Sequence, residues 1–204
     1  LQKPVMRVLL SIPGISSLIL GKVRAKLVDT FGNKVVKGGI IIGGAAISKD
    51  VERLMKKMSF PYCVGYGMTE CGPLISYKEW ANFVPRSCGA MARPGVEVRI
   101  DSENPANVPG EIQVKGDSVM LGYYKNEEAT AAAFTSDGWL KTGDMGTMDK
   151  NENIFIKGRC KNMILTTNGQ NIYPEEIEEL VNQLPMVMES LVVGRKHGLA
   201  ALIV

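Results

Sequence analysis

The chain has 204 residues, of which 45% are hydrophobic and 22% charged, and its formal net charge is +3. That composition excludes disordered and collagen-like classes, and the length is ample for a sizeable core. The charge is too small, and too evenly spread, to point to a nucleic-acid partner, because no segment is a Lys/Arg block.

The first residue is Leu rather than Met, which reads as a removed start or an excised piece. Residues 8–20, preceded by Lys3 and Arg7, look a little like the apolar region of a signal peptide. Pro13, Gly14 and serines break that run, and no small-x-small cleavage site follows, so it reads as a surface helix-turn segment. No apolar stretch reaches the ~20 residues that span a bilayer. Residues 35–44 read as a short buried strand, with Ile40-Ile41-Ile42 entering a glycine pair. Ser48 is placed to cap a helix through Met58, with Val51, Leu54, Met55 and Met58 on one face at helical spacing. A second short strand, Tyr62-Cys63-Val64, ends in Gly65-Tyr66-Gly67. Strand, helix and strand of these lengths predict an α/β layer with a crossover helix.

The texture changes over residues 85–160. Val96-Glu97-Val98-Arg99-Ile100 and Glu111-Ile112-Gln113-Val114 alternate apolar and polar side chains, and turn-formers such as Asn104-Pro105 and Pro109-Gly110 separate them. Half-buried antiparallel strands follow from that pattern, as a small barrel or curled sheet interrupted by a helix over residues 126–134. In residues 162–204, Pro174 opens a helix with Glu175 and Glu176 in its first turn. Its apolar face is Ile177, Leu180, Val181 and Leu184, and Pro185 ends it. Leu191-Val192-Val193 and residues 199–204 read as strands around a turn. The fold class is mixed α/β.

The cysteines are Cys63, Cys71, Cys88 and Cys160, with no Cys-x-x-Cys pair, and the single histidine, His197, reads as part of a surface turn. A zinc site is not expected from this set; free thiols in a reducing, cytoplasmic setting are.

Four glycine-marked clusters carry the chemistry. Gly43-Gly44-Ala45-Ala46 lies at a strand end, where small residues let a flat ligand approach the backbone; a tight turn explains it as well. In Gly65-Tyr66-Gly67-Met68-Thr69-Glu70, Tyr66 offers a ring face for a base, Thr69 a hydroxyl for a phosphate, and Glu70 a hard oxygen for Mg²⁺. An irregular turn around a half-buried tyrosine is the alternative. In Asp137-Gly138-Trp139-Leu140-Lys141-Thr142-Gly143-Asp144, the Asp144 carboxylate falls at an expected strand end and matches the two donors of a ribose diol; an Asx-turn is the alternative. In Lys157-Gly158-Arg159-Cys160-Lys161-Asn162, Arg159 can neutralise a phosphate, or belong to a solvated basic loop. No nucleophile elbow, Walker loop or Gly-x-Gly-x-x-Gly fingerprint competes with them.

In this order the clusters resemble the adenylate-forming (AMP-binding) superfamily of acyl-CoA synthetases, luciferases and peptide-synthetase adenylation domains. Gly65 to Glu70 is similar to the family's Tyr-Gly-x-Thr-Glu motif. Residues 110–130, with Gly-Glu-Ile-Gln-Val-Lys-Gly and Gly-Tyr-Tyr, resemble the next one. Residues 137–161 look most like the signature of fatty acid–CoA ligases, and residues 169–178 like the segment after the family's hinge. The resemblance covers nearly the whole chain from about residue 20.

It implies that residues 1–160 belong to a large AMP-binding domain, with an α/β section over 1–84 and a barrel-like section over 85–160. Residues 161–204 would begin a small C-terminal domain. Tyr66 would stack on adenine beside Gly43, Gly44 and Ala45. Thr69 would contact the α-phosphate and Glu70 would bind Mg²⁺. Asp144 would hold the ribose hydroxyls, with Arg159 near ribose or phosphate. Gly65, Gly67 and Met68 would border the acyl pocket. Lys161 would be the hinge, and Gly169 would lie near the pantetheine path. The implied reaction joins a fatty acid or other carboxylate to CoA through an acyl-adenylate made from ATP, leaving AMP. No nucleic-acid partner is implied, and a peripheral membrane contact is compatible with a lipid substrate.

The family's Ser/Thr/Gly-rich phosphate loop and its late catalytic lysine are not found here, and Ile156 stands where the family has a ribose-bonding side chain. The chain therefore reads as a central-to-late piece of an enzyme, inactive alone. A carrier-protein-loading enzyme and a non-catalytic nucleotide-binding protein are the alternatives.

Overall fold

The computed structural model describes residues 10–45, 47–91, 94–166, 168–195 and 198–204. Ala46 and His197, both named above, lie outside the described residues.

Helix α1 (Pro13–Phe31) starts with proline at its first turn and stops at Gly32, whose positive φ of 87° turns the chain while its N–H bonds the Val28 carbonyl. A short helix, α2 (Asn33–Gly38), follows, and then β1 (Ile40–Ile42). The strand expected over residues 35–44 is therefore only three residues long and half-buried. Gly39, at φ 78°, separates it from the helical turn, and only the three isoleucines find partners.

Helix α3 (Lys49–Lys57) matches its expected bounds. The Ser48 hydroxyl accepts the Val51 N–H, acidic residues occupy the first turn and lysines the last, as the helix dipole favours. Leu54, Met55 and Met58 pack with Leu20 and Phe60 in a satellite core. Val51, expected on that face, is exposed, and Glu52 is buried in its stead. Glu52 stays satisfied there because its carboxylate accepts the Arg86 N–H at 2.9 Å. Strand β2 (Tyr62–Val64) returns parallel to β1, completing the strand–helix–strand unit.

Two antiparallel sheets follow. The first contains β3 (Tyr66–Gly67), β4 (Leu74–Tyr77) and β5 (Ala90–Met91). The second contains β6 (Val96–Asp101), β7 (Gly110–Gly116), β8 (Leu140–Met148) and β9 (Ile154–Arg159), paired in that order. Helix α4 (Glu127–Ala133), capped by the Asn126 side chain, connects β7 to β8. Among the described residues no pairing joins β6 to β9, so this sheet is open rather than a closed barrel. One apolar core joins the two sheets, running from Val64 and Ile75 to Ile112, Val114, Leu140 and Ile154. Burying those side chains contributes roughly 1.5–3 kcal/mol each.

The last section holds β10 (Ile164–Leu165), β11 (Asn171–Ile172), α5 (Pro174–Val181) and the hairpin β12 (Ser190–Arg195) with β13 (Gly198–Ile203). Helix α5 ends at Val181, before Pro185, with Asn182 as its cap. Ile177 and Val181 are half-buried, whereas Leu180 and Leu184, expected on the same face, are exposed. What seats α5 is polar. Glu176 pairs with Lys157, Glu178 accepts the Val192 N–H, and Glu179 takes both Lys49 and Arg86. No helix among the described residues is long and apolar enough to cross a membrane.

Candidate functional site

The carboxyl ends of β1 and β2 lie side by side. The Gly65 N–H bonds the Ile42 carbonyl at 2.9 Å, and a Cβ on Gly43 would sit 3.5 Å from the Gly65 oxygen. Gly43, Gly44 and Ala45 are exposed above this edge. The carboxyl edge of a parallel sheet is where α/β folds commonly take ligands.

The next turn is tight. A Cβ on Gly67 would collide with the Pro73 carbonyl, so only glycine fits, and the Met68 N–H bonds that same carbonyl at 2.8 Å. Thr69 to Cys71 form one 3₁₀ turn, with Thr69 exposed and Glu70 half-buried. The Tyr123 hydroxyl donates to Glu70 Oε1 at 3.0 Å, and the Met120 N–H bonds the Glu70 carbonyl at 2.8 Å. The Gly-Tyr-Tyr segment is thereby tied to the Thr-Glu turn.

Asp144 is not at a strand end but inside the nine-residue β8. Lys141 pairs with Gln113 and Met145 with Glu111, so Thr142, Gly143 and Asp144 together oppose Ile112 alone. This is a special bulge of three residues against one, and Gly143 takes φ 74° within it. The stranded backbone groups find side chains. The Thr142 hydroxyl donates to the Ile112 carbonyl at 2.8 Å and accepts the Asp144 N–H at 3.1 Å. The Gly143 N–H goes to Glu111 Oε1 at 3.1 Å.

The bulge presents Asp144 to two partners. The Tyr66 hydroxyl donates to Oδ2 at 2.6 Å, and Arg159 Nε, from the facing position on β9, reaches Oδ1 at 3.1 Å. Burial, then the Asp144 charge, holds the Tyr66 phenol far above its ordinary range, so it stays a donor. Each Asp144 oxygen has one protein partner and a second lone pair free for a hydroxyl. Tyr66 is 8% exposed as a residue, and the Asp144 side chain is 12% exposed. The Arg159 side chain is 61% exposed, leaving the rest of its guanidinium free for an anion.

The structure thus brings Tyr66, Asp144 and Arg159 into direct contact, with Gly43 to Ala45 at the adjoining edge. It bonds Glu70 to Tyr123 rather than to that trio. Lys161 is exposed in the 3₁₀ turn after β9. Gly169 is exposed at φ 76° with open space around its Cα, and Met68 packs against the core. Ile156 is 39% exposed opposite Gly146. Sequence reasoning missed Thr142, Glu111 and Tyr123 as parts of the site. Their motifs were visible, but their partners depend on the bulge and on pairings across the sheets.

Among the described residues no three acidic, Cys or His side chains cluster as a metal cage. Glu70 supplies one carboxylate, which fits a Mg²⁺ ion that takes its remaining ligands from water and substrate phosphates.

Residues 7–124 match the family described as AMP-binding enzyme. The chain is 32% identical to 4-coumarate–CoA ligase of Vanilla planifolia over 92% of its own length and 36% of that protein. It is 33% identical to 2-succinylbenzoate–CoA ligase of Bacillus cytotoxicus, over 87% of the chain and 38% of the relative. It is 38% identical to a long-chain-fatty-acid–CoA ligase of Escherichia coli, over 76% and 28%. The chain therefore spans about a third of the length of these three relatives. Among solved structures, O-succinylbenzoate CoA synthetase of Bacillus subtilis with its acyl-adenylate intermediate superposes with TM-score 0.70 at 30% identity, over 80% of this chain and 35% of that one. The same synthetase with ATP and magnesium gives TM-score 0.69 at 29% identity, over 80% and 35%.

Proposed function

The chain belongs to the AMP-binding enzyme family, and from that premise we propose that the protein carrying it is an ATP-dependent acid–thiol ligase. The observation that carries the proposal is the Tyr66–Asp144–Arg159 contact, a half-satisfied carboxylate held between a phenol and an arginine beside a glycine-lined edge.

Asp144 accepts the ribose hydroxyls through its free lone pairs. Tyr66 orients that carboxylate and offers adenine the uncovered part of its ring, with the backbone of Gly43, Gly44 and Ala45 alongside. The Thr69 hydroxyl and the Arg159 guanidinium take the α-phosphate charge, which grows as the substrate carboxylate attacks phosphorus and pyrophosphate leaves. Mg²⁺, when bound, supplies charge neutralisation at the phosphates, and Glu70 is its protein ligand. The CoA thiol then displaces AMP from the acyl-adenylate, with Gly169 on the pantetheine path. Gly65, Gly67 and Met68 border the acyl group.

We assign residues 1–160 to the large domain and 161–204 to the small one, with the hinge at Lys161. Placing the protein in the cytoplasm is part of the same reading. A fatty acid is the proposed substrate. The long-chain-fatty-acid–CoA ligase relative and the Asp-Gly-Trp signature support it, while the relatives named for coumarate and succinylbenzoate define the competing carboxylates.

The test is AMP release by the full-length gene product, given ATP, Mg²⁺, CoA and a panel of fatty, aryl-propenoic and aryl-dicarboxylic acids. Fastest turnover with a fatty acid is expected. AMP release only when a carrier protein replaces CoA would move the enzyme to the carrier-loading class. No AMP with any carboxylate and either acceptor would remove it from the ligases.

A further inference from the structure

We propose that Glu111 is a positioning residue for Asp144, holding the bulge that aims this carboxylate at the ribose diol. The proposal rests on the nucleotide reading above and adds a residue to it.

On its β7 side the backbone at residues 142–144 is not held by the sheet ladder, because three residues stand against one, and only Asp144 pairs with β9 on the other side. A segment that lacks its ladder bonds on one side keeps a single shape only if the polar groups on that side are bonded elsewhere. Thr142 satisfies the Asp144 N–H from within the bulge. Two bonds reach the neighbouring strand: the Thr142 hydroxyl donates to the Ile112 carbonyl at 2.8 Å, and Glu111 Oε1 accepts the Gly143 N–H at 3.1 Å, the latter holding the bulge backbone itself. That N–H belongs to the residue at φ 74°, the point where the bulge departs most from extended backbone. Losing the acceptor frees the Gly143 peptide to rotate, and Asp144, the next residue, moves with it.

Glu111 is half-buried, and its other neighbour is the half-buried Cys160 thiol. Burial and the nearby Glu111 and Asp144 carboxylates push that thiol up to about 11, so it remains protonated near neutrality. Glu111 therefore contacts two things: the bulge that carries Asp144 and the residue that follows Arg159. Both lead to the same ion pair, since Arg159 Nε lies 3.1 Å from Asp144 Oδ1. Glu111 itself makes no contact with Tyr66 or Arg159 among the bonds seen, and this separates positioning from direct binding.

A positioning role predicts an effect confined to ligands with a ribose diol. The experiment measures calorimetric binding of ATP and of 2′,3′-dideoxy-ATP, both with Mg²⁺, to the full-length gene product and its variants. Wild type is expected to favour ATP, and Glu111→Ala to lose roughly tenfold in ATP affinity, about the value of one hydrogen bond to a charged group, with dideoxy-ATP binding unchanged. Glu111→Gln keeps an acceptor oxygen at the same reach and is expected to restore the preference. Adding Glu111→Ala to Asp144→Ala should cost nothing more, since the two act through one contact. If Glu111→Ala fails to fold, Glu111→Asp serves in its place, being one methylene too short for the Gly143 N–H.

Equal losses for both nucleotides would reduce Glu111 to a structural residue and overturn the proposal, as would unchanged ATP affinity. A wild type that binds both nucleotides alike, or an Asp144→Ala variant that keeps the preference, would instead overturn the ribose assignment beneath it.

Discussion

Asp144 shows how a carboxylate can be fixed and still available. Its Oδ2 has the Tyr66 hydroxyl and its Oδ1 the Arg159 Nε, yet each oxygen keeps room for a further donor. Asp144→Ala in the full-length protein should weaken ATP binding by about 1–3 kcal/mol, the range for hydrogen bonds to a charged group. Titration calorimetry with ATP checks this, and an unchanged affinity would place Asp144 outside the site. The residue types were legible in the sequence: Tyr66, Asp144 and Arg159 were each singled out from their glycine-marked clusters. What no pattern displays is the 78-residue separation across which Tyr66 finds Asp144. The phenol–carboxylate bond depends on the packing of two sheets, not on either motif.

At the scale of the element, the bulge in β8 decides what alternation can and cannot show. The alternating strands at Val96–Asp101 and Gly110–Gly116 were legible because their apolar residues share one face, although Gln113 on the other face of the second is buried too. The Ser48 cap of α3 was legible because capping is local chemistry. Asp144 was expected at a strand end because Thr-Gly-Asp reads as a turn; the turn-like residues instead form a bulge with strand on both sides. The apolar run over residues 35–44 was read too long for the opposite reason, since β propensity is visible in sequence while the helical turn that takes the chain up to Gly38 is not. Within the bulge, Gly143→Ala should destabilise the fold by about 1–3 kcal/mol, because alanine resists a left-handed backbone. Chemical denaturation measures this. Nothing else at that position opposes a methyl group, as the nearest heavy atom to a Cβ there is Arg159 Nη1 at 3.9 Å. A neutral outcome would mean that the bulge relaxes to a negative φ.

At the scale of the whole molecule, the buried thiols make stability a function of pH. Cys71 is pushed up to about 11 by burial and Glu70, Cys88 by burial and Asp144, and Cys160 by burial, Glu111 and Asp144. Each thiol ionises near 9 once exposed, so between pH 9 and 11 the unfolded chain holds fewer protons than the folded one. Their contribution is complete below pH 9 and is lost as pH rises through 11. The melting temperature should fall across that window, and Cys88→Ala should flatten part of the decline in thermal scans. A melting temperature constant to pH 11 would show that the thiols ionise alike in both states. The α/β class and the order of sections were legible at this scale, whereas the open edge of the four-stranded sheet was not, because closure depends on a pairing between strands far apart in sequence. The seating of α5 has its own consequence. If the chain turns at Lys161, the bonds of this helix divide into two sets. Those to the Lys157, Lys49 and Arg86 side chains and to the Lys49 and Arg159 N–H groups lie across the pivot and must break, whereas Glu175 to Asn162 and Glu178 to the Val192 N–H travel with it. The ion pairs of the first set have partly solvated side chains, which dissolved salt screens; its two backbone N–H bonds, like the neutral donors of the second set, it hardly touches. With a hinge at Lys161, rising ionic strength would act as a slipping clutch, loosening the hold on the moving part without taking that part itself apart.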